Sequence, residues 1–119
     1  RKIIALGKNL EPLPEEHRTD KNKVKGCQSQ VWLHAGLNDG TVHFVADSDA
    51  AIVRGLIALL LQVYNNHTPD EIIAAEPTFI NDIGLVENLT QQRSNGLSAM
   101  IKQLKFYAIA FKSLQDRMN

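Results

Sequence analysis

Two runs of alternating apolar and polar residues, separated by a short turn sequence, constrain the fold of this chain more than any other feature. The runs span residues 31–35 and 41–46, and Asn38-Asp39-Gly40 lies between them. A period of two places alternate side chains on opposite faces of a strand, and Asp-Gly favours a tight hairpin turn. The sequence therefore predicts an antiparallel β-hairpin with one apolar face. That face would carry Val31, Leu33, Ala35, Val42, Phe44 and Ala46.

Helical patterns flank the hairpin. Residues 3–7 predict the last turns of one helix, and a long apolar segment predicts a second helix from about Ala50 to Tyr64. Asp47-Ser48-Asp49 supplies N-cap candidates for the second helix. Because that helix has little polar surface, we expect it to be buried against the hairpin.

The second half of the chain carries further helix signals. Thr68-Pro69-Asp70-Glu71 has the form of a capping box with proline at the first helical position, and Pro77 would end the helix. Residues 79–83 predict one more turn, stopped by Gly84. Ser94-Asn95-Gly96 is the predicted start of the longest helix, because apolar residues then recur every three or four positions. That stripe consists of Leu97, Met100, Ile101, Leu104, Tyr107, Ala108, Phe111 and Leu114.

These elements predict an α+β fold, a small antiparallel β-sheet with helices packed on one face. At 119 residues we expect a single domain over residues 1–119. The 13 basic and 13 acidic residues cancel, which argues against a nucleic-acid surface. The longest mostly apolar segment, residues 50–63, contains Arg54 and is shorter than the roughly 20 residues that span a bilayer. We therefore expect neither nucleic acid nor a membrane among the partners.

The charges are distributed unevenly along the chain. Residues 39–92 hold eight acidic residues and one basic residue, whereas residues 93–119 hold five basic residues and one acidic residue. Two interpretations stay open: solvated faces that cancel in three dimensions, and a polarised docking surface for a protein partner.

The only cysteine, Cys27, lies in a polar setting, with Gly26 before it and residues 28–30 after it. A single cysteine forms no internal disulfide, which favours a reducing cytoplasm. Glycine and polar neighbours are typical of a turn, where a thiol is either a reactive nucleophile or an inert structural group.

Two features would favour the thiolate form of Cys27 and so raise its reactivity. Lys21, Lys23 and Lys25 precede it closely, and the predicted helix start at residues 93–96 would act in the same way if folding brings it near. Two other kinds of site have weaker support in the sequence. A protease-like pair with one of the four histidines lacks a local family signature around the thiol. A metal site using cross-strand histidines lacks a fourth ligand. The four histidines are His17, His34, His43 and His67, and the cross-strand candidates among them are His34 and His43.

Three blocks of sequence resemble the SufE-type sulfur acceptor proteins. They are GCQSQVWL at residues 26–33, DSDAAIVRGLIA at residues 47–58 and LTQQRSNGL at residues 89–97, and they occur in the family's order. Residues 6–14 are similar too, so the resemblance covers nearly the whole chain. It implies the fold that SufE proteins share with the IscU-type cluster scaffold proteins, which agrees with the α+β pattern.

The resemblance implies that Cys27 is the catalytic residue, which accepts persulfide sulfur from a PLP-dependent cysteine desulfurase of the SufS or CsdA type. The acceptor stimulates the desulfurase and passes sulfur to a cluster scaffold or another recipient for iron–sulfur cluster assembly. The protein is then a carrier rather than an enzyme, with no cofactor and no metal of its own. A partner-binding or loop-supporting role is implied for Gly26, Gln28, Asp49 and Arg93.

The leading alternative is a free-standing thiol-dependent enzyme, either a hydrolase or a peroxide-reducing protein. Such an enzyme requires a base or a resolving partner beside Cys27, together with a substrate pocket. A lone thiol suits a carrier better, because a second cysteine nearby would resolve the persulfide into a disulfide and release sulfide.

Overall fold

Six regular elements follow one another in the part of the chain that the structure describes. The structure is a computed structural model and describes residues 2–27, 29–75 and 91–118. None of the helices in those ranges is long and apolar enough to cross a lipid bilayer. Two 3-10 turns, Glu15–His17 and Asp20–Asn22, precede the first strand. The elements are α1 (Lys2–Gly7), β1 (Val31–Asn38), β2 (Thr41–Ser48), α2 (Ala51–Tyr64), α3 (Pro69–Ala74) and α4 (Gln91–Met118).

Strands β1 and β2 form the predicted hairpin. All eight residues of each strand are paired antiparallel, and Asn38 lies opposite Thr41 at the turn. The turn residues Asp39 and Gly40 have φ angles of 51° and 84°, and a tight hairpin turn with two positive φ angles explains the Asp-Gly sequence. All six side chains predicted for the apolar face are buried, which confirms the strand pattern.

The apolar face of the hairpin, α2 and α4 enclose the core. Asn65, which follows α2, fastens that helix to β2, because its side-chain amide donates to the Phe44 carbonyl at 3.2 Å and accepts from the Phe44 N–H at 2.6 Å. The helices therefore pack on one face of an antiparallel hairpin, and the predicted α+β fold is confirmed. The buried residues of the two helices include Val53, Leu56, Ile57, Leu60 and Tyr64 from α2 and Leu97, Met100, Ile101, Leu104 and Ala108 from α4.

The opposite face of the hairpin is covered by the segment that leads to the cysteine. The Arg18 guanidinium lies 5.1 Å from the centre of the Trp32 ring and donates to the Asp47 carboxylate at 2.6 Å. Lys23 then forms an antiparallel β-bridge with Trp32. These contacts fix the path of the chain just before the cysteine loop, so the position of that loop is set by the hairpin.

The predicted N-cap of α2 is wrong. The helix begins after Ala50, and no side chain caps it. Ser48 instead accepts a hydrogen bond from the Ala50 N–H at 3.2 Å, Asp47 pairs with Arg18, and the Asp49 carboxylate binds a backbone N–H outside the helix. Residue types that favour an N-cap also bind other groups, near or far along the chain. Long-range contacts use Asp47 and Asp49 here, and Ser48 binds the backbone two residues ahead of it.

The predicted start of α4 is also wrong, because the helix begins at Gln91 rather than at Ser94. Gly96 consequently lies inside the helix. Leu97, Met100, Ile101, Leu104 and Ala108 of the apolar stripe are buried as predicted, whereas Tyr107 and Phe111 are half-buried and Leu114 is 53% exposed. The helix extends beyond the elements that pack against its apolar stripe. Sequence periodicity shows which residues share a face, but it does not show how much of that face is buried.

Helix α3 begins with the predicted capping box. The Thr68 hydroxyl accepts from the Glu71 N–H at 3.2 Å, and the Glu71 carboxylate accepts from the Thr68 N–H at 2.8 Å. The predicted stop at Pro77, the turn over residues 79–83 and Gly84 lie outside the described residues.

Lys105 ties α4 to the end of α3. Its ammonium group donates to the carbonyl oxygens of Ile72, Ile73 and Ala75 at 3.0, 3.0 and 2.6 Å. The last carbonyls of a helix have no partner within that helix, so this lysine supplies donors that α3 lacks.

Lys105→Met keeps a stem of similar length and removes the ammonium group. We expect the free energy of unfolding to fall by about 2 kcal/mol, because a hydrogen bond to a charged group contributes roughly 1.5–3 kcal/mol. Urea denaturation measures the change. Lys102→Met is the matched control, since Lys102 is exposed on the same helix. Equal losses in the two variants would show that the three carbonyl contacts do not stabilise the fold.

Candidate functional site

The loop that carries Cys27 begins at a glycine. Gly26 has a φ angle of 92°, which side chains of L residues rarely allow. A Cβ atom at this position would lie 3.3 Å from the Cβ of Ala99 on α4. Both the backbone angle and the close approach to α4 therefore favour glycine here.

The thiol of Cys27 is half-buried between its loop and α4. Its S–H donates to the carbonyl oxygen of Gly96 at 3.6 Å. A Cβ atom on Gly96 would lie 3.6 Å from the sulfur, so a side chain at that position would fill the space beside the thiol. The first turns of the longest helix do lie beside Cys27, but the thiol meets a carbonyl oxygen there rather than a free N–H group.

Burial raises the pKa of the Cys27 thiol. The sequence predicted the opposite, because nearby lysines and a helix start were expected to favour the thiolate. In the folded chain, removal from water penalises the charged form and the Gly96 carbonyl accepts the S–H of the neutral form. Cys27 is therefore protonated at neutral pH in this conformation.

Asp49 holds the far end of the loop. Its carboxylate accepts from the Gln30 N–H at 3.1 Å, and its own N–H donates to the Gln30 carbonyl at 3.3 Å. Since Val31 pairs with Ser48, these two contacts continue the hairpin register by one residue pair. The cysteine loop thus lies between a glycine at its start and a carboxylate clamp at its end.

Two of the predicted site residues are described incompletely. Gln28 lies outside the described residues. Arg93 lies near the start of α4, and only its backbone is described. Their roles in partner binding or loop support stay predictions.

Two residues of this site were not singled out from the sequence. Gly96 contributes a carbonyl oxygen, and Gln30 contributes its backbone N–H and carbonyl. Backbone groups are present in every residue, so residue type carries no signal for such roles. The available signal was position, because Gly96 and Gln30 lie within two of the three blocks that resemble the SufE family.

The histidines have partners other than the thiol. Among the described residues, no histidine forms a hydrogen bond with Cys27, and no group of three or more side chains suited to a metal ion is present. A protease-like pair with Cys27 therefore has no geometric support in these ranges. The contacts are His17 stacked on His34 at 3.6 Å between centroids, His43 with Glu11 at 2.8 Å and with Asn66 at 3.3 Å, and His67 with Glu71 at 3.6 Å.

Comparison with known proteins gives a consistent picture. The family model described as "SufE: Fe-S metabolism associated domain" matches residues 1–108. An uncharacterised SufE-like protein of Synechocystis is 46% identical over 110 residues, which are 92% of this chain and 69% of that protein. An uncharacterised SufE-like protein of Rhizobium meliloti is also 46% identical over 110 residues, which are 88% of this chain and 79% of that protein.

A solved structure shares the fold. The solution structure of a hypothetical protein from Thermus thermophilus superimposes with a TM-score of 0.76 at 23% identity, and the match covers 91% of this chain and 79% of that one. At this identity the match supports the α+β architecture alone. The family model and the relatives carry the assignment: this chain belongs to the SufE family, whose members are partners of cysteine desulfurases, and it has a non-enzymatic sulfur-transfer role in iron–sulfur metabolism.

Proposed function

We propose that Cys27 accepts the terminal sulfur of a persulfide on a PLP-dependent cysteine desulfurase, stimulates that enzyme and delivers the sulfur for iron–sulfur cluster assembly. The observation that carries the proposal is the construction of the cysteine loop. A lone thiol lies between Gly26, whose positive φ angle suits a hinge, and the Asp49 clamp, and in the described part of the chain its sulfur is held by one long hydrogen bond of 3.6 Å. Such a thiol can leave its shelter without disturbing the hairpin or the helices.

The transfer is an exchange of the thiol–disulfide type. The Cys27 thiolate attacks the terminal sulfur of the desulfurase persulfide. The sulfur–sulfur bond of the donor breaks as a new sulfur–sulfur bond to Cys27 forms. The donor cysteine leaves as a thiolate and takes up the proton that Cys27 lost, so the step needs no external oxidant or reductant.

The buried position of Cys27 serves the carrier before and after transfer. In the free protein the raised pKa keeps Cys27 as a thiol, which is a poor nucleophile and resists oxidation. When the loop swings outward on docking, the desolvation that raises the pKa is removed, so a larger fraction of Cys27 is thiolate beside the donor. When the loop returns, the same half-buried position shields the new persulfide from stray thiols.

Transfer is tested by incubating the protein with desulfurase, PLP and cysteine and then measuring intact mass. We expect a gain of one sulfur atom at Cys27 and faster sulfide release than the desulfurase gives alone. A chain of unchanged mass and an unaltered rate of sulfide release would reject the proposed function. A free-standing thiol enzyme would act on its substrate without any desulfurase present.

Asp49→Ala removes the clamp at the end of the loop. Hydrogen exchange of the backbone in residues 27–30 is expected to become about ten-fold faster, because a hydrogen bond to a charged acceptor contributes on the order of 1.5 kcal/mol. Asp116→Ala is the matched control, since Asp116 is exposed near the end of α4. If exchange in the loop is equally slow in parent and Asp49→Ala, the carboxylate does not hold the loop.

A further inference from the structure

A basic groove lies beside the cysteine loop. It has a volume of about 720 Å³ and is bounded on one side by the chain before Cys27 and on the other by the outward face of α4. Four lysines line it, and among the described residues no acidic side chain does. We name this feature the lysine groove, and its charged residues are Lys21, Lys23, Lys25 and Lys102.

Most of the positive charge in the lysine groove is available to a partner. Lys23 pairs with Asp20 at 3.2 Å, and in the described part of the chain Lys21, Lys25 and Lys102 have no carboxylate within 4.0 Å. By contrast, Arg18 pairs with Asp47 and Lys112 with Asp70, each at 2.6 Å. The groove therefore concentrates uncompensated charge in a protein whose formal net charge is zero.

The lysine groove shares its walls with the Cys27 site. Gly26, the hinge of the cysteine loop, lines the groove, and so does Ala99, which Gly26 approaches on α4. Gly96, which accepts the S–H of Cys27, lies one turn earlier on that helix. An occupant of the groove would thus touch both the hinge and the helix against which the thiol is sheltered.

We propose that the lysine groove receives an acidic segment of the cysteine desulfurase and so aligns the Cys27 loop with the donor persulfide. This inference rests on the proposed function. Carboxylates are the groups that four amines would attract when only one of them, Lys23, has an acidic partner, and the volume falls in the range that holds a small ligand or a few side chains.

A free small anion fits the groove less well than a protein segment. Exposed lysines are strongly hydrated point charges, and they lack the paired donors by which arginine or clustered backbone N–H groups hold an isolated anion. Between two proteins, by contrast, exposed charges steer encounter and fix orientation even when each pair contributes little affinity. Orientation is what transfer between two cysteine sulfurs requires.

The test is a pair of double charge reversals with equal changes in net charge. Lys21→Glu with Lys102→Glu alters the loop side and the helix side of the groove together. Lys8→Glu with Arg117→Glu is the matched control, because both residues are exposed and neither lines the groove. Thermal unfolding of each variant checks that the fold is retained. The dissociation constant for the desulfurase is then measured at low and at high NaCl concentration.

We expect the groove variant to bind the desulfurase about ten-fold more weakly at low salt, and its affinity to vary less with salt than that of the parent. The control should bind as the parent does. At saturating concentration the groove variant should still gain one sulfur atom, because Cys27 is present, but it should gain it more slowly than the parent, because the loop is aligned less well with the donor.

Two outcomes would overturn the assignment: a groove variant that binds the desulfurase as tightly as the parent, or equal weakening in both double variants. Failure of the proposed function looks different, because the parent itself would then neither bind the desulfurase nor gain sulfur from it. In that case the groove assignment fails with it.

Discussion

Cys27→Ser is expected to abolish sulfur acceptance while leaving the fold intact. The serine hydroxyl is nearly the same size as the thiol, and it can donate to the Gly96 carbonyl that the S–H of Cys27 contacts. Its oxygen cannot form the sulfur–sulfur bond on which a persulfide depends. The variant should therefore fold, bind the desulfurase and gain no sulfur.

The measurements are intact mass after incubation with desulfurase and cysteine, the rate of sulfide release, and the dissociation constant for the desulfurase. Ser29→Ala is the control in the same loop, and it should accept sulfur as the parent does. If Cys27→Ser still binds the desulfurase, then docking does not depend on the thiol, as expected when the lysine groove provides the binding surface. If the serine variant gained sulfur or stimulated the desulfurase fully, Cys27 would not be the acceptor.

The hairpin and the buried helix faces could be predicted because the spacing of apolar residues reflects directly which side chains are buried. Residues 31–35 and 41–46 alternate because a strand has one buried and one exposed face. The turn between them requires positive φ angles at both central residues, which favours Asp39-Gly40. The capping box of α3 is likewise local, since Thr68 and Glu71 bind each other across one helical turn. These predictions are correct because the residues that carry the signal are neighbours both in sequence and in space. The start of α4 is the exception among the local signals, since the helix begins at Gln91 rather than at Ser94.

The candidate site depends on contacts between distant residues, and there the patterns fail. Asp49 has the residue type and position of an N-cap, yet strand pairing brings Gln30 opposite it and the carboxylate binds that backbone instead. Cys27 and Gly96 are separated by 69 residues. Local composition around Cys27 suggested a thiolate, whereas the pKa of the thiol is raised by burial that only the folded chain creates.

The resemblance to the SufE family supplied only part of the information about these long-range contacts. It implied roles for Cys27 and Asp49, but it did not indicate that the thiol meets the Gly96 carbonyl or that the Asp49 carboxylate binds the backbone of Gln30. The lysine groove shows the same limit. Three of its lysines are close in sequence and precede Cys27, but Lys102 joins them only because α4 passes beside the loop.

Gly26→Ala is expected to release Cys27 from its shelter. Alanine at a φ angle of 92° is strained, and its Cβ would lie 3.3 Å from the Cβ of Ala99. Strain of this kind costs roughly 1–3 kcal/mol, so the population with an open loop should rise by about ten-fold. Alkylation of Cys27 by iodoacetamide at neutral pH should accelerate by about the same factor.

The pH dependence of alkylation distinguishes exposure of the Cys27 thiol from a general loss of stability. In the parent, the rate should rise with pH through a midpoint above that of free cysteine, because burial raises the pKa of Cys27 and only the thiolate reacts. In Gly26→Ala the midpoint should move down toward the ordinary thiol value. Gly36→Ala is the matched control, since Gly36 has no positive φ angle and a Cβ there would meet nothing within 4 Å. A parent thiol that reacts as fast as free cysteine, or a Gly26→Ala variant with the parent's rate and midpoint, would mean that this glycine does not keep the sulfur sheltered.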